Sequence, residues 1–272
     1  MTLRVAALQM NSGPEISSNL TTVERLLDKA DDKEVRLVVL PENFSLMPVN
    51  DHDRLRAAET PGDGPVQRFL AEQAVRRKLW IVAGTIPISS TDPNRIRTAC
   101  LVYDDRGRQV GRYDKIHLFD VVIDDQESYL ESKYIEPGDI AANQVNITTP
   151  IGRIGLTVCY DVRFPELYRV LSSDGAQVFT VPSAFTATTG KAHWEVLLRA
   201  RAIENLAYVI AAAQFGTHAN GRRTHGHSMV VSPWGEVLAE IEEGEGMALA
   251  EINMKYLEKL RCGFPSLDHR RM

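Results

Sequence analysis

Three residues of this chain carry side chains suited to acyl-transfer chemistry, and they share one placement: each lies just past a strand-like run. Cys159 ends the apolar run Ile154-Gly-Leu-Thr-Val158 and is followed by Tyr160-Asp-Val-Arg-Phe-Pro-Glu166. Glu42 follows Arg36-Leu-Val-Val-Leu40 and Pro41, and Lys115 follows Gln109-Val-Gly-Arg-Tyr113 and Asp114. At one sheet rim, such a set would supply a nucleophile, a proton acceptor and a cation for a developing oxyanion. A helix starting just past Cys159 would also set backbone amides beside the sulfur, lowering its pKa and favouring thiolate near neutral pH. Singly, each residue has a bland account as a buried small side chain, a loop carboxylate or an exposed lysine. Together they suggest an active site. Histidine is the usual partner of a catalytic cysteine, and His117, His193, His225 and His227 are available. Spacing leaves open both a Cys–His pair and a metal at His225/His227.

The elements that must position these residues follow from periodicity and turn signals. Leu3 to Gln9 reads as a first strand, and Leu20, Val23, Leu26, Leu27 and Ala30 recur at helical spacing. Gly62-Asp-Gly-Pro65 signals a helix start, and Leu79 to Ile86 reads as one buried strand. Hairpins are expected around Asp104-Asp-Arg-Gly107, Thr149-Pro-Ile-Gly152 and Pro233-Trp-Gly235, the second pairing Gln144 to Thr148 with Arg153 to Val158. Phe119 to Asp139 reads as irregular, acidic and too long for an idle connection. Helices are expected from Phe164 to about Ser172, from about Lys191 to Asn205 and after Met254. Gln177 to Val181, Ala207 to Gln214 and Met247 to Ile252 read as strands. Alternating helices and strands broken by three hairpins fit two mixed sheets packed face to face better than a doubly wound parallel sheet.

Composition narrows the class. A chain of 272 residues, 44% apolar, is compatible with one α/β domain spanning residues 1–272. A net charge of −5 argues against a nucleic-acid partner, which needs a basic face. Cys100, Cys159 and Cys262 are odd in number and form no CxxC pair, so neither a disulfide framework nor structural zinc is expected. No signal segment and no membrane-spanning apolar run is seen, and a reducing cytoplasm is the expected compartment.

Pro41-Glu42-Asn43, Lys115-Ile-His-Leu-Phe-Asp120 and Cys159-Tyr-Asp-Val-Arg-Phe-Pro-Glu166 resemble, in order, the three signature blocks of the nitrilase superfamily of carbon–nitrogen hydrolases. The likeness runs over essentially the whole chain. It implies a four-layer αββα sandwich, a Glu42-Lys115-Cys159 triad, no metal or organic cofactor, and association into a homodimer or larger homo-oligomer. Many relatives have a second glutamate in a Glu-Ser pair; Glu131-Ser132 matches it, implying that Glu131 orients Lys115 and the substrate nitrogen. Where relatives often carry Pro-Gly after the lysine block, Asp120 leads into Val-Val-Ile-Asp-Asp125, so the pocket mouth departs from the pattern.

Thr189-Gly-Lys-Ala-His-Trp194, Ala200-Arg-Ala-Ile-Glu204, Gln214 with His218, and Gly226-His-Ser-Met-Val-Val-Ser-Pro-Trp-Gly235 resemble the Nit branch, and within it the amidases of deaminated glutathione. The implied reaction proceeds through a thioester on Cys159 and yields 2-oxoglutarate and cysteinylglycine. The alternatives are an ω-amidase acting on 2-oxoglutaramate or another small carboxylated amide, and a non-catalytic scaffold. By the resemblance the Tyr160 N–H helps hold the oxyanion. Arg163 is the candidate for the acyl carboxylate, against an ion pair with Glu166, and Ser183 and Phe185 can line the same rim. Arg222 and Arg223 are candidates for the glycine carboxylate, against the reading of a surface hairpin.

Overall fold

The computed structural model describes residues 2–125, 127–139 and 145–271. Its first strand, Thr2–Met10, is buried on both faces beyond Arg4. Val5 and Ala7 point into the core shared with the second sheet, while Ala6, Leu8 and Met10 join a separate core under helices. That period-two split is what a strand between two layers requires. Leu37–Val39 lies parallel beside it, and Gly246–Asn253 runs antiparallel along its length. Outward from Leu37–Val39 come Trp80–Val82 and then Ile96–Tyr103, which also pairs with Ile86–Ser89 and Gln109–Asp114. The second sheet runs Val237–Ile241, Ser228–Val231, Tyr208–Ala211, Val178–Thr180, Gly152–Leu156 and Asn146–Thr149.

Helices Ile16–Asp31 and Pro65–Arg77 cover the first sheet with Val23, Leu26, Leu27, Leu70 and Ala74. Pro65–Arg77 starts where its sequence signals, because the Glu59 carboxylate accepts from the Val66 and Gln67 N–H groups of its unpaired first turn. Helices Pro165–Ser173 and Ala187–Asn205 cover the second sheet with Leu167, Tyr168, Trp194 and Leu198. The result is the expected αββα sandwich.

Three expectations change. Leu79 to Ile86 is two strands, Trp80–Val82 and Ile86–Ser89, broken at Gly84. There φ is +46°, and a Cβ would lie 2.0 Å from the Pro41 carbonyl oxygen, so only glycine lets this turn close on the Glu42 loop. Ala207 to Gln214 is also two strands: Tyr208–Ala211 belongs to the six-stranded sheet, and Ala213–Thr217 pairs with the first strand in the other. The chain crosses between sheets at Ala212, and a crossing buried throughout leaves no polar break to read. The stretch expected to be irregular contains a hairpin, Asp120–Val122 with Ser128–Leu130, followed by a 3-10 turn at Glu131–Lys133. Of the expected 144–158 hairpin, Gln144 lies outside the described residues; Asn146–Thr149 pairs with Gly152–Leu156.

Candidate active site

Glu42, Lys115 and Cys159 meet at one end of the sandwich, the first two past strands of one sheet and the third past a strand of the other. Each loop is pinned. The Gln214 side chain donates to the Glu42 carbonyl (3.0 Å), and the Asn43 N–H donates to Thr85 Oγ1 (2.9 Å). The Lys115 N–H donates to the Thr98 carbonyl (3.0 Å), and the Cys159 N–H to that of Pro182 (2.8 Å). Cys159 has φ of +48°, an uncommon conformation for a side-chain-bearing residue that must be held by its surroundings.

Asp161 does much of that holding. Its fully buried carboxylate accepts from the Val158 N–H, from the Tyr113 hydroxyl and from His117 Nδ1, each at 2.7 Å. It thereby ties the turn of Cys159 to the segment of Lys115. Although an aspartate is poor core material, Asp161 is fully buried, as is Val162 beside it. The buried acid is tolerated because its hydrogen bonds are made.

Inside the cavity, Lys115 Nζ donates to Glu42 Oε1 at 2.9 Å and to Glu131 Oε2 and Oε1 at 2.9 and 3.2 Å. Glu131 also accepts from the Phe119 N–H (2.8 Å), and Glu42 Oε2 from the Ala184 N–H (2.8 Å). Burial alone would lower the Lys115 pKa, but Glu131 and Glu42 outweigh it and raise the ammonium well above its usual value. Burial also works against the Glu131 carboxylate; Lys115, Arg54 and the two donated hydrogen bonds reverse that and hold its pKa below the ordinary one.

Cys159 goes the other way. Burial, reinforced by the Glu42 charge, pushes its thiol up to about 12, against the opposing pull of Lys115, the Ser183 hydroxyl and the Ala184 N–H. This corrects the expectation of a thiolate favoured by helix amides. The α-helix begins only at Pro165, and a 3-10 turn, Cys159–Arg163, intervenes. Burial and the neighbouring carboxylate thus favour the thiol form of Cys159 over the thiolate.

These groups open on a narrow cavity of about 10 Å³ walled by Phe119, Tyr160 and Phe185, with Thr186, Thr189 and Arg222 also lining it. No histidine among the described residues lines it. His117 is spent on Asp161, His193 lies against Arg163, and His227 pairs with Glu240 while stacking on His225. Ser183 Oγ is fully buried and makes no other hydrogen bond. Arg163 does not line the cavity; its guanidinium lies over the Phe185 and Tyr160 rings at 5.1 and 5.9 Å, and no ion pair with Glu166 forms among the described residues. Gln214 and His218 are buried supports rather than contact residues: Gln214 bonds Ser12 and Glu42, and His218 bonds the Ser12 carbonyl and Thr224. A glutamine inside the apolar run Ala211-Ala-Ala-Gln-Phe215 is the sequence signal for such a support. Thr186 and Thr189 escape the sequence reading, since a threonine at a helix start is explained by capping alone.

The family model for carbon–nitrogen hydrolases matches residues 4–261. The chain belongs to the carbon–nitrogen hydrolase family. Within this family it is 45% identical over 267 residues to the deaminated glutathione amidase of Synechocystis sp., covering 97% of each chain. It is 41% identical over 270 residues to the Homo sapiens deaminated glutathione amidase, covering 98% of this chain and 82% of the human one. Among solved structures it resembles the Caenorhabditis elegans NitFhit protein with a TM-score of 0.93 at 38% identity, over 99% of this chain and 65% of that longer one. It also resembles Saccharomyces cerevisiae Nit3, a branch 10 member of the nitrilase superfamily, with a TM-score of 0.88 at 30% identity and 97% of that chain covered. The resemblance read from the three sequence blocks therefore holds, and the family together with its amidase relatives makes this chain an amidase.

Proposed function

We propose that this amidase hydrolyses deaminated glutathione to 2-oxoglutarate and cysteinylglycine through a thioester on Cys159. The observation that carries the mechanism is the burial of Glu42, Lys115 and Glu131 in one hydrogen-bonded set opening on the same cavity as Cys159. The substrate is supported by relatives of that name in bacteria and mammals, at 45% and 41% identity.

Glu42 takes the Cys159 proton as the sulfur attacks the amide carbonyl. A carbon–sulfur bond forms, and the carbonyl electrons move to an oxyanion beside the Lys115 ammonium. The Tyr160 N–H, implied by family resemblance, is its second donor. Preorganised charge in a dry site is worth far more than in water. Glu42 then returns the proton to the amide nitrogen, the carbon–nitrogen bond breaks, and the amine leaves as cysteinylglycine. Water losing a proton to Glu42 attacks the thioester; collapse breaks the carbon–sulfur bond, releases the acid and restores the thiol. Lys115 stays charged throughout because Glu131 remains beside it. Splitting one amide hydrolysis into two steps is the gain from the covalent intermediate.

Phe185 shapes the end that receives the acyl carboxylate, and Arg163, which lies against the Phe185 and Tyr160 rings rather than on the cavity surface, is assigned to it only as a charge acting across those rings. For the expected association of two copies, the exposed Ile203, Trp234 and Phe264, with Trp234 edge-on to Phe264 at 5.7 Å, are the apolar side chains that support a contact surface. Cys262 is exposed and free, which suits a reducing cytoplasm.

The test compares kcat/KM for deaminated glutathione and 2-oxoglutaramate, with mass spectrometry of a quenched reaction. The expected result is a preference for deaminated glutathione and an acyl adduct on Cys159 that is absent in Cys159→Ala. A clear preference for 2-oxoglutaramate reassigns the substrate, and full activity in Cys159→Ala overturns the mechanism.

A further inference from the structure

Beyond the catalytic cavity lies a larger open vestibule of about 700 Å³, and the two share the walls Glu131 and Arg222. The direction of the reaction fixes what belongs there. The departing nitrogen must face Glu42 to receive its proton, with Glu131 next to it on the same ammonium, so whatever the nitrogen carries extends past Glu131 into the vestibule.

The vestibule is basic where it counts. Arg54, Lys133, Arg222 and Arg223 line it against two acids, Glu127 and Glu131. Both acids are engaged by the protein: Glu131 holds Lys115, and Glu127 accepts from the Tyr129 hydroxyl (2.8 Å) and from Thr188 Oγ1 (3.1 Å). Arg222 is the basic residue that reaches the inner cavity. Its guanidinium lies 4.9 Å from the Tyr129 ring centroid and donates through Nη2 to the Ala184 carbonyl. Its Nε is buried without a hydrogen-bond partner, and no carboxylate pairs with it among the described residues.

Nor is this segment a loose surface hairpin. The Arg222 N–H bonds Asn220 Oδ1 (2.9 Å), Asn220 bonds the Pro48 carbonyl (2.8 Å), and the His218 N–H bonds the Arg222 carbonyl (2.9 Å). A fixed arginine with no carboxylate partner among the described residues, between the catalytic cavity and an open basic space, is poised for an anion.

We infer that Arg222 is a specificity-determining residue that binds the terminal carboxylate of the leaving group, selecting amides whose amine half is a short acidic peptide. This rests on the substrate reading above. An amine half of two residues spans at most about 7 Å, short enough for its carboxylate to remain near the boundary between the two spaces.

The experiment measures kcat/KM for three amides: deaminated glutathione, the same compound with its glycine carboxylate capped as an amide, and 2-oxoglutaramate, which has no such carboxylate. Wild-type enzyme is compared with Arg222→Ala and Arg222→Lys. A hydrogen-bonded charged group contributes about 1.5–3 kcal/mol, or roughly 10- to 100-fold. Capping should therefore cost wild type about 10- to 100-fold, mostly in KM. Arg222→Ala should lower the ratio of kcat/KM for deaminated glutathione over 2-oxoglutaramate by a similar factor and erase the penalty for capping, with partial recovery in Arg222→Lys. A ratio unmoved by Arg222→Ala, whatever the absolute rates do, overturns the assignment and leaves Arg222 as a strut for the Ala184 loop. Should that variant not fold, equal wild-type rates on capped and uncapped substrate overturn it alone. Wild-type enzyme that turns over 2-oxoglutaramate but not deaminated glutathione sinks the substrate reading and this inference with it, whereas efficient turnover with no capping penalty sinks only the latter.

Discussion

Replacing Glu42 by glutamine should move two properties of Cys159 in opposite directions. The Glu42 charge is one of the causes that raise the thiol to about 12, so removing it lowers that pKa, while Lys115 remains to favour thiolate. For a separation on the order of 6 Å and an effective dielectric of about 20, the charge is worth roughly 3 kcal/mol, or about two pH units. At pH 8, a thiol with pKa of about 12 is ionised to about one part in 10⁴; two units lower it reaches about one part in 10². Thiolate nucleophilicity falls with its pKa at about 0.4–0.5 log per unit, which returns nearly one of those two decades. The net expectation is alkylation of Cys159 by iodoacetamide about tenfold faster in Glu42→Gln, while amide turnover drops about 10²- to 10⁴-fold for want of a proton carrier. Alkylation is followed by peptide mass spectrometry in a Cys262→Ser background, because Cys262 is exposed and Cys100 is buried with its thiol pushed up by desolvation. Equal or slower alkylation in Glu42→Gln would refute the charge coupling. Retained turnover would refute the role of Glu42 as base.

Further outcomes follow from the same contacts. Lys115→Met leaves Glu42 and Glu131 buried without their shared cation, so one should take up a proton; breaking a buried pair costs about 3–5 kcal/mol, read as a fall in Tm of roughly 6–20 °C with loss of activity. Asp161→Asn turns one of the two carboxylate oxygens that accept from Val158, Tyr113 and His117 into a donor NH2 group; stability should fall by about 1–3 kcal/mol in denaturant melts, and kcat should fall more than KM changes, because Cys159 loses its placement without losing contact with substrate. Glu131 has its folded pKa held below the ordinary 4.5, so its contribution to stability is complete above that pH and is lost as pH falls through the lower folded value. Tm measured from pH 6 to pH 3 should therefore fall less steeply in Glu131→Gln than in wild type, and parallel curves would refute the linkage.

Much of this site was legible in the sequence because its chemistry sits where period-two strands stop. Arg36 to Leu40, Gln109 to Tyr113 and Ile154 to Val158 are apolar or alternating runs, and the residue types that follow them are costly to hide without a purpose. What stayed hidden depends on which residues touch across long separations. Nothing near Gln214 in the chain says that its amide meets the Glu42 carbonyl, 172 positions away. The crossing at Ala212 and the break at Gly84 are buried on all sides, so the apolar pattern runs on through a change of sheet or direction. Electrostatics were the least legible. Strand-then-cysteine suggested a low pKa, but the outcome depends on how much water is excluded and on Glu42 lying close enough to oppose ionisation.

That reversal changes the account of catalysis. A thiolate held ready by a helix would react with any small electrophile, and Glu42 would then be needed only when the amine leaves. A thiol raised to about 12 by burial, and further by the carboxylate proposed to deprotonate it, is expected to react little until a carbonyl is in place. On the proposed mechanism, attack and proton transfer then occur together, because neither charge state is comfortable without the other. Lys115 serves this arrangement by staying charged through every step, and it does so because Glu131 remains on its ammonium when Glu42 is protonated. The second glutamate is therefore what lets the first one shuttle: without it, each proton taken by Glu42 would leave Lys115 a buried cation with no partner, at the moment its charge is required by the oxyanion.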